Sequence, residues 1–114
     1  MLRRACLLAA LCVSALSCMS ARRMETGFLD RTLHAGGRAH RYVIYVPRLE
    51  VLLRRGPLPV ILSLHGAGER GPDGLRQTQV GLAPAIRWMP ERFPAIVVFP
   101  QVPPNKRWLG ESAD

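Results

Sequence analysis

The pattern of apolar and polar residues indicates two neighbouring strands from Phe28 onwards. FLDRTLH and RAHRYVIYV are strand-like, rich in Tyr, Val and Ile, and Ala35, Gly36 and Gly37 stand between them. Two strand-like segments on either side of a short glycine-containing turn predict a hairpin. In the second strand we expect Tyr42, Ile44 and Val46 on one face of the sheet, and Val43 and Tyr45 on the other.

Two later apolar runs show no alternation. Residues 60–64 and 95–99 are almost wholly apolar, which suits strands that are covered on both faces of a parallel sheet. Between them, residues 75–89 carry apolar positions at loosely helical spacing, interrupted by Gly81 and Pro84. We therefore predict one broken helix or two short ones. The order strand, helix, strand predicts a parallel pair joined by a crossover.

The number of predicted elements is small for two such apolar strands. One crossover helix and the connector at residues 48–58, with a short amphipathic turn around residues 49–53, do not bury both runs from water. The first run would also present a bare hydrophobic edge. We expect the chain to be the front part of a larger domain. The alternative is a small, complete, β-rich module.

A glycine turn, His65-Gly66-Ala67-Gly68, follows the first apolar run. Its two glycines allow positive φ and close approach of another group to the backbone. Beyond the carboxyl end of a central strand, such a turn aims main-chain N–H groups at a ligand crevice, where they stabilise an oxyanion. The alternative is a tight turn with no chemistry.

The sequence around this turn resembles a known enzyme family. LHGAGERG, followed by DGLRQTQVGLAPAIRWMPERFPAIVVFPQ, resembles the N-terminal half of bacterial secreted α/β-hydrolases of the esterase and predicted-peptidase branch. This branch is related to dienelactone hydrolases, polyhydroxybutyrate depolymerases and prolyl oligopeptidase-like enzymes. The similarity covers roughly residues 26–111. It implies a truncated α/β-hydrolase fold, an N-terminal β-hairpin followed by a strand-helix-strand parallel unit.

The resemblance implies a serine hydrolase that acts on carboxylic esters. Two alternatives stay open: a prolyl oligopeptidase-like peptidase, and a non-catalytic surface or lipoprotein module. The hydrolase mechanism needs a serine in a Gly-x-Ser-x-Gly elbow, with an acid and a histidine later in the chain. Ser112 lacks the second glycine, because Asp114 occupies that position, and we read it as a helix cap. The chain is therefore expected to be inactive as given.

The resemblance also implies roles for particular residues. One oxyanion donor is the backbone N–H of Ala67, or of Gly66, and His65 shapes the turn rather than acting as the base. The four candidate substrate-binding residues are polar or aromatic neighbours of the two strand ends: Glu69, Arg70, Gln101 and Trp108. Glu69 and Arg70 could instead pair with each other, and Trp108 could serve only in packing.

The start of the chain has the layout of a secretory signal peptide. Arg3 and Arg4 precede an apolar stretch that is too short to span a membrane, and small residues follow it. We predict a signal peptide over residues 1–20 and the hydrolase portion over residues 21–114. Cys18 lies in a distant match to a lipoprotein box, so lipid anchoring is an alternative to release. A further alternative is that translation starts at Met24, which would leave the protein in the cytosol.

The composition of the chain bears on three kinds of partner: nucleic acids, metal ions and cofactors. The net charge is +8, but all except one of the 16 basic residues are arginines scattered over every segment, without a nucleic-acid motif. We predict no nucleic-acid partner. All three cysteines lie in the leader, and the three histidines show no ligand spacing, so we predict no metal and no cofactor.

Overall fold

The computed structural model describes residues 24–109, apart from the side chain of Arg55. The predicted signal peptide, Cys18 and Ser112 lie outside the described residues. The elements, in chain order, are β1 (Gly27–Ala35), β2 (Arg38–Val46), helix α1 (Leu49–Arg55), β3 (Val60–Leu62), helix α2 (Leu82–Trp88) and β4 (Ile96–Pro100). Short 3-10 helices cover Ala67–Glu69, Arg76–Thr78 and Pro90–Arg92.

The strands form one mixed sheet in the order β1-β2-β4-β3. β1 and β2 are antiparallel and turn at Gly36 and Gly37, both with positive φ, so the predicted hairpin is confirmed. β4 pairs with β2 in antiparallel fashion and with β3 in parallel. The predicted parallel pair is therefore confirmed, and β4 is its inner member.

The segment between β3 and β4 has the predicted break. A 3-10 turn ends at Thr78, and α2 begins at Leu82 after Gly81, whose φ is +66°. Pro84 lies in the first turn of α2, where its missing N–H removes no intrahelical bond. Two short helical pieces are the correct reading of this region.

The core lies between α2 and one face of the sheet. Its buried side chains alternate along the two inner strands and repeat along the helix: Val43, Tyr45, Val97, Phe99, Ala83 and Ile86. The ring of Phe28 packs 5.1 Å from that of Tyr45 and has the guanidinium of Arg87 4.4 Å from its centroid. One helix thus covers one sheet face.

One of the two predictions about the apolar runs is confirmed and the other is corrected. The first run was expected to stay unburied in this chain with a bare hydrophobic edge, and β3 is a three-residue edge strand in which Val60 and Leu62 are 66% and 63% exposed. The second run was also expected to lack cover, yet Val97 and Phe99 are buried. The cause is the strand order, since β4 has neighbours on both sides and β3 has one.

None of the helices within residues 24–109 has the length and apolarity needed to cross a membrane.

Candidate active site

The glycine turn lies where β3 ends, next to the loop that leaves β4. The backbone N–H of Ser63 donates to Val98 O over 2.9 Å, which continues the parallel pairing one residue beyond β3. The chain then turns through His65 and Gly66 into the 3-10 helix that begins at Ala67. The turn is therefore positioned by a strand whose register is fixed by β4.

The ring of His65 connects this turn to the other loop. Its Nε2 accepts a hydrogen bond from the Val102 N–H at 3.0 Å, and its Nδ1 lies 2.6 Å from Gly66 O. Because Nε2 must be an acceptor, the proton is on Nδ1 and is donated to the Gly66 carbonyl. Both ring nitrogens are engaged, which leaves the imidazole no lone pair with which to act as a base in this arrangement.

Trp108 holds the same turn from outside. Its indole N–H donates to His65 O at 2.9 Å, and its ring stands edge-on to the imidazole, 4.9 Å between centroids. Trp108 therefore packs against the turn and also lines the adjoining pocket.

Neither glycine of the turn uses the positive φ that glycine allows. Gly66 has φ −80° and ψ −172°, and Gly68 also lacks a positive φ. Close approach does apply at Gly66, where an added Cβ would stand 3.1 Å from Glu69 Oε2, and no such contact arises at Gly68. A side chain at residue 66 would therefore meet the end of the Glu69 side chain, while the backbone there is one that any residue adopts.

The main-chain donors at the start of the 3-10 helix are unoccupied. Among the hydrogen bonds of the described residues, none uses the N–H of Ala67 or of Gly68. Ala67 lines a pocket of about 350 Å3 whose walls come from the turn and from the loop after β4: His65, Gly66, Ala67, Arg70, Val102, Arg107 and Trp108. Two arginines thus stand at a pocket with no acidic residue in its lining.

The four candidate substrate-binding residues have different surroundings. Arg70 and Trp108 line this pocket, while the Glu69 carboxylate faces Gly66. The ion pairs within residues 24–109 are Glu25–Arg31 and Asp73–Arg76, so Glu69 and Arg70 do not pair with each other. Arg107 and Val102 were missed by sequence reasoning. The proximity of Arg107 to Trp108 was the available signal for the first, and no sequence signal pointed to the second.

Gln101 is buried, and its amide holds the loop that follows the turn. Its Oε1 accepts the Gly74 N–H at 2.6 Å, and its Nε2 donates to Glu69 O at 3.1 Å and to Asp73 Oδ1 at 2.8 Å. Because both the oxygen and the nitrogen of its amide are hydrogen-bonded, Gln101 holds this loop in place.

Asp73 is the anionic partner in this loop. Its pKa is lowered from 3.8 to about 2, first by the Leu75 backbone N–H, then by the Gln101 amide and the Arg76 backbone N–H. The nearby Arg76 charge acts in the same direction. These donors favour the ionised carboxylate, which caps the 3-10 turn at Arg76–Thr78.

Other chemistry is sparse in the described part of the chain. Ser63 is the one serine between residues 24 and 109, and it stands at the end of β3. No group of three His, Cys, Asp or Glu side chains in that range is close enough to hold a metal ion.

Comparison with known proteins shows similarity to a solved structure. No protein-family model and no curated protein sequence matches the chain. A solved structure described as a thermostable esterase aligns over 71% of this chain at 30% identity, with a TM-score of 0.54. The chain resembles part of an esterase. It spans 22% of that esterase's length.

This match agrees with the fold seen here. The four-stranded mixed sheet with its few helices is a partial α/β fold, and the esterase likeness supports an esterase-like α/β-hydrolase at a coarse level.

Proposed function

We propose that the chain forms the front part of an exported serine hydrolase that cleaves carboxylic esters. In this proposal the N–H of Ala67 is one of two donors to the tetrahedral intermediate's oxyanion. The nucleophilic serine, the acid and the base come from a part of the hydrolase that the 114 residues do not contain. The second oxyanion donor follows that serine in the chain.

The observation that carries this proposal is the geometry around Ala67. Its N–H has no partner among the described residues, and the residue lines a pocket beside Arg70 and Arg107. His65 fixes the turn through two hydrogen bonds without being free to act as base. The 30% identical esterase structure supports the choice of ester hydrolysis.

Removing this single N–H tests the proposal. In a longer protein that contains the chain and hydrolyses a short-chain p-nitrophenyl ester, Ala67→Pro should lower kcat by at least about a hundredfold, since one donor contributes about 3 kcal/mol. Proline suits this position because Ala67 is the first residue of its 3-10 helix and Gly66 before it is extended.

Ala67→Gly is the matched control. It removes the methyl group but keeps the N–H, so its kcat should stay near that of the parent. Near-normal activity of the proline variant, with its fold verified by circular dichroism, would place the donor elsewhere. The 114-residue chain itself should show no esterase activity above background.

The genomic DNA that follows codon 114 separates the classes of function. A Gly-x-Ser-x-Gly after one more apolar strand favours an enzyme, and its absence there favours a non-catalytic binding module. A peptide substrate assay beside the ester assay then distinguishes a peptidase from an esterase.

A further inference from the structure

Two consecutive peptide groups in the glycine turn have their carbonyl oxygens held by side chains. His65 O accepts the indole N–H of Trp108 at 2.9 Å, and Gly66 O accepts the Nδ1 proton of His65 at 2.6 Å. The first of these peptide groups carries the N–H of Gly66, and the second carries the N–H of Ala67. Two side chains therefore set the orientation of the two candidate oxyanion donors.

Holding a carbonyl oxygen sets the direction of the N–H in the same peptide group. Every peptide bond within residues 24–109 is trans, so each C=O and the N–H bonded next to it point in opposite directions. Because Gly66 O faces the imidazole of His65, the N–H of Ala67 points away from that ring. A half-turn of either peptide group would put an oxygen where an N–H now is.

Of the two peptide groups, the one between His65 and Gly66 is the easier to rotate. Such a rotation changes φ of the following residue from negative to positive, as in the change between type I and type II turns. Gly66 has φ −80° and would tolerate the positive value, since it has no Cβ. Ala67 would tolerate it less well. The 65–66 peptide group is thus the one that most needs an external restraint, and Trp108 supplies it.

Trp108 also contacts the side chain that restrains the second peptide group. Its ring stands edge-on to the imidazole of His65, with 4.9 Å between the ring centroids. The imidazole is held in addition by the Val102 N–H, which donates to Nε2 at 3.0 Å. The segment that runs from Val102 to Trp108 therefore holds the turn at both of its ends.

We propose that Trp108 is a positioning residue for the oxyanion donor of Ala67. By holding His65 O, its indole N–H prevents the 65–66 peptide group from presenting a carbonyl oxygen next to that donor, where the oxygen would repel an oxyanion. The role rests on the proposed function and needs no contact between Trp108 and a substrate. Its contacts all lie within residues 65–108, so it does not depend on a surface that the rest of a larger domain would cover.

Trp108→Phe removes the indole N–H and keeps an aromatic ring beside His65. In the longer, ester-hydrolysing protein that tests Ala67, this variant should lower kcat about threefold to tenfold, as expected for one neutral hydrogen bond. KM should change little, whereas loss of a residue that binds the substrate directly would raise it. Trp88→Phe is the matched control, because Trp88 is 85% exposed at the end of α2 and should leave both constants unchanged.

A sulfur analogue of tryptophan separates the effect of the N–H from that of the ring. Benzothienylalanine has the shape of tryptophan but carries sulfur in place of the N–H. Placed at residue 108, it should lower kcat as much as phenylalanine does. Parental kcat with this analogue would show that ring packing alone holds the turn, and would overturn the inference.

A double-mutant cycle with Ala67→Pro tests whether Trp108 acts through the donor. Once the Ala67 N–H is absent its orientation no longer matters, so Trp108→Phe should change kcat by less than about twofold in the Ala67→Pro background. A further loss as large as that seen in the parent would show that the two effects are independent, and would overturn the inference.

The cycle also separates this inference from the proposed function. If Ala67→Pro alone keeps near-normal kcat, the oxyanion assignment fails, and the positioning role fails with it. If Ala67→Pro lowers kcat and Trp108→Phe does not, only the positioning role fails. Far-UV circular dichroism verifies that each variant is folded, and the benzothienylalanine protein takes the place of Trp108→Phe in the cycle if the phenylalanine variant does not fold.

Discussion

A single imidazole ring joins two loops that are 37 residues apart in the sequence. His65 accepts from the Val102 N–H and lies against the Gly66 carbonyl, so the turn and the end of β4 are fixed to each other. Gln101 does the same for the next loop through Asp73 and Gly74. Polar side chains, with little apolar packing, thus hold the candidate oxyanion donor in place.

The ionised carboxylate of Asp73 gives this loop a pH dependence. Because its pKa falls from 3.8 to about 2, the stability it contributes is present above pH 3.8 and is lost as the pH drops through about 2. We expect Asp73→Asn to lower the free energy of unfolding at pH 5. The gap between variant and parent should narrow between pH 3.8 and 2, as measured by urea unfolding at several pH values.

Asp30→Asn is the control for this experiment, because Asp30 is exposed on β1 and has no ion pair among the described residues. A gap for Asp73→Asn that stays constant across the acid range would contradict a stabilising role of the charge.

The sequence predicted little of this residue-level network. The turn itself was predictable, because a polar, glycine-containing segment follows an apolar run. The partner of His65 was not, since the contact with Val102 depends on how β4 brings its own end beside β3. The backbone of Gly66 was not predictable either, because a glycine allows a positive φ without requiring one, and here the residue is extended.

Among the elements, β3 is one of the two edge strands of the sheet, β1 being the other. β3 pairs with β4 in parallel, and Pro59 O and the Ser63 N–H are hydrogen-bonded to that strand. The main-chain groups of the alternate residues of β3 therefore point away from the sheet. Val60 and Leu62 add exposed apolar side chains. An edge of this kind is a template for pairing with another chain.

A charge on this edge should therefore reduce self-association. We expect Val60→Lys to shift the 114-residue chain towards monomer in sedimentation velocity, because lysine on an edge strand opposes pairing. Leu53→Lys removes a comparably exposed apolar side chain from α1, 76% exposed, and should have a smaller effect. Equal effects would indicate nonspecific hydrophobic contact rather than strand pairing.

The type of each element was more predictable than its burial. Because successive side chains of a strand point to opposite faces, the assignment of RYVIYV to a strand predicted which side chains share a face, and the structure shows that the face of Val43 and Tyr45 is the buried one. An all-apolar run, by contrast, indicates only that the segment tolerates burial. It does not indicate whether the strand is buried. Residues 60–64 and 95–99 look alike in sequence, and their opposite exposure arises from which neighbours each strand acquires.

At the scale of the whole molecule, the described part is a sheet with one covered face. Helix α2 packs on the side of Val97 and Phe99, and the opposite side leaves apolar side chains such as Leu33 and Leu62 exposed. The chain spans 22% of the esterase that it resembles, and the proposed esterase activity is that of a larger protein. The candidate turn and its pocket lie beside the loop that follows β4.

Export is the proposal that concerns the chain as a whole. We expect a bacterial host to remove residues 1–20 or a closely similar leader, which N-terminal sequencing of the exported product would reveal. Leu8→Arg interrupts the apolar stretch and should leave the uncleaved protein in the cytoplasm. A product that begins at Met24 inside the cell would contradict export.

Labelling with radioactive palmitate tests the second possibility at Cys18. Incorporation that is lost in Cys18→Ser would indicate a lipid anchor, and absence of label in the exported parent would indicate a released protein.

The strand order has a further consequence for synthesis on the ribosome. β1 and β2 are adjacent in sequence and can pair as soon as both have emerged, but β4, the strand that separates β2 from β3, is made last of the four. Until Pro100 has been translated, β2 and β3 have no common neighbour, and the nascent sheet is limited to the hairpin. This four-stranded sheet can therefore be completed only after β4 has been made and has left the ribosome.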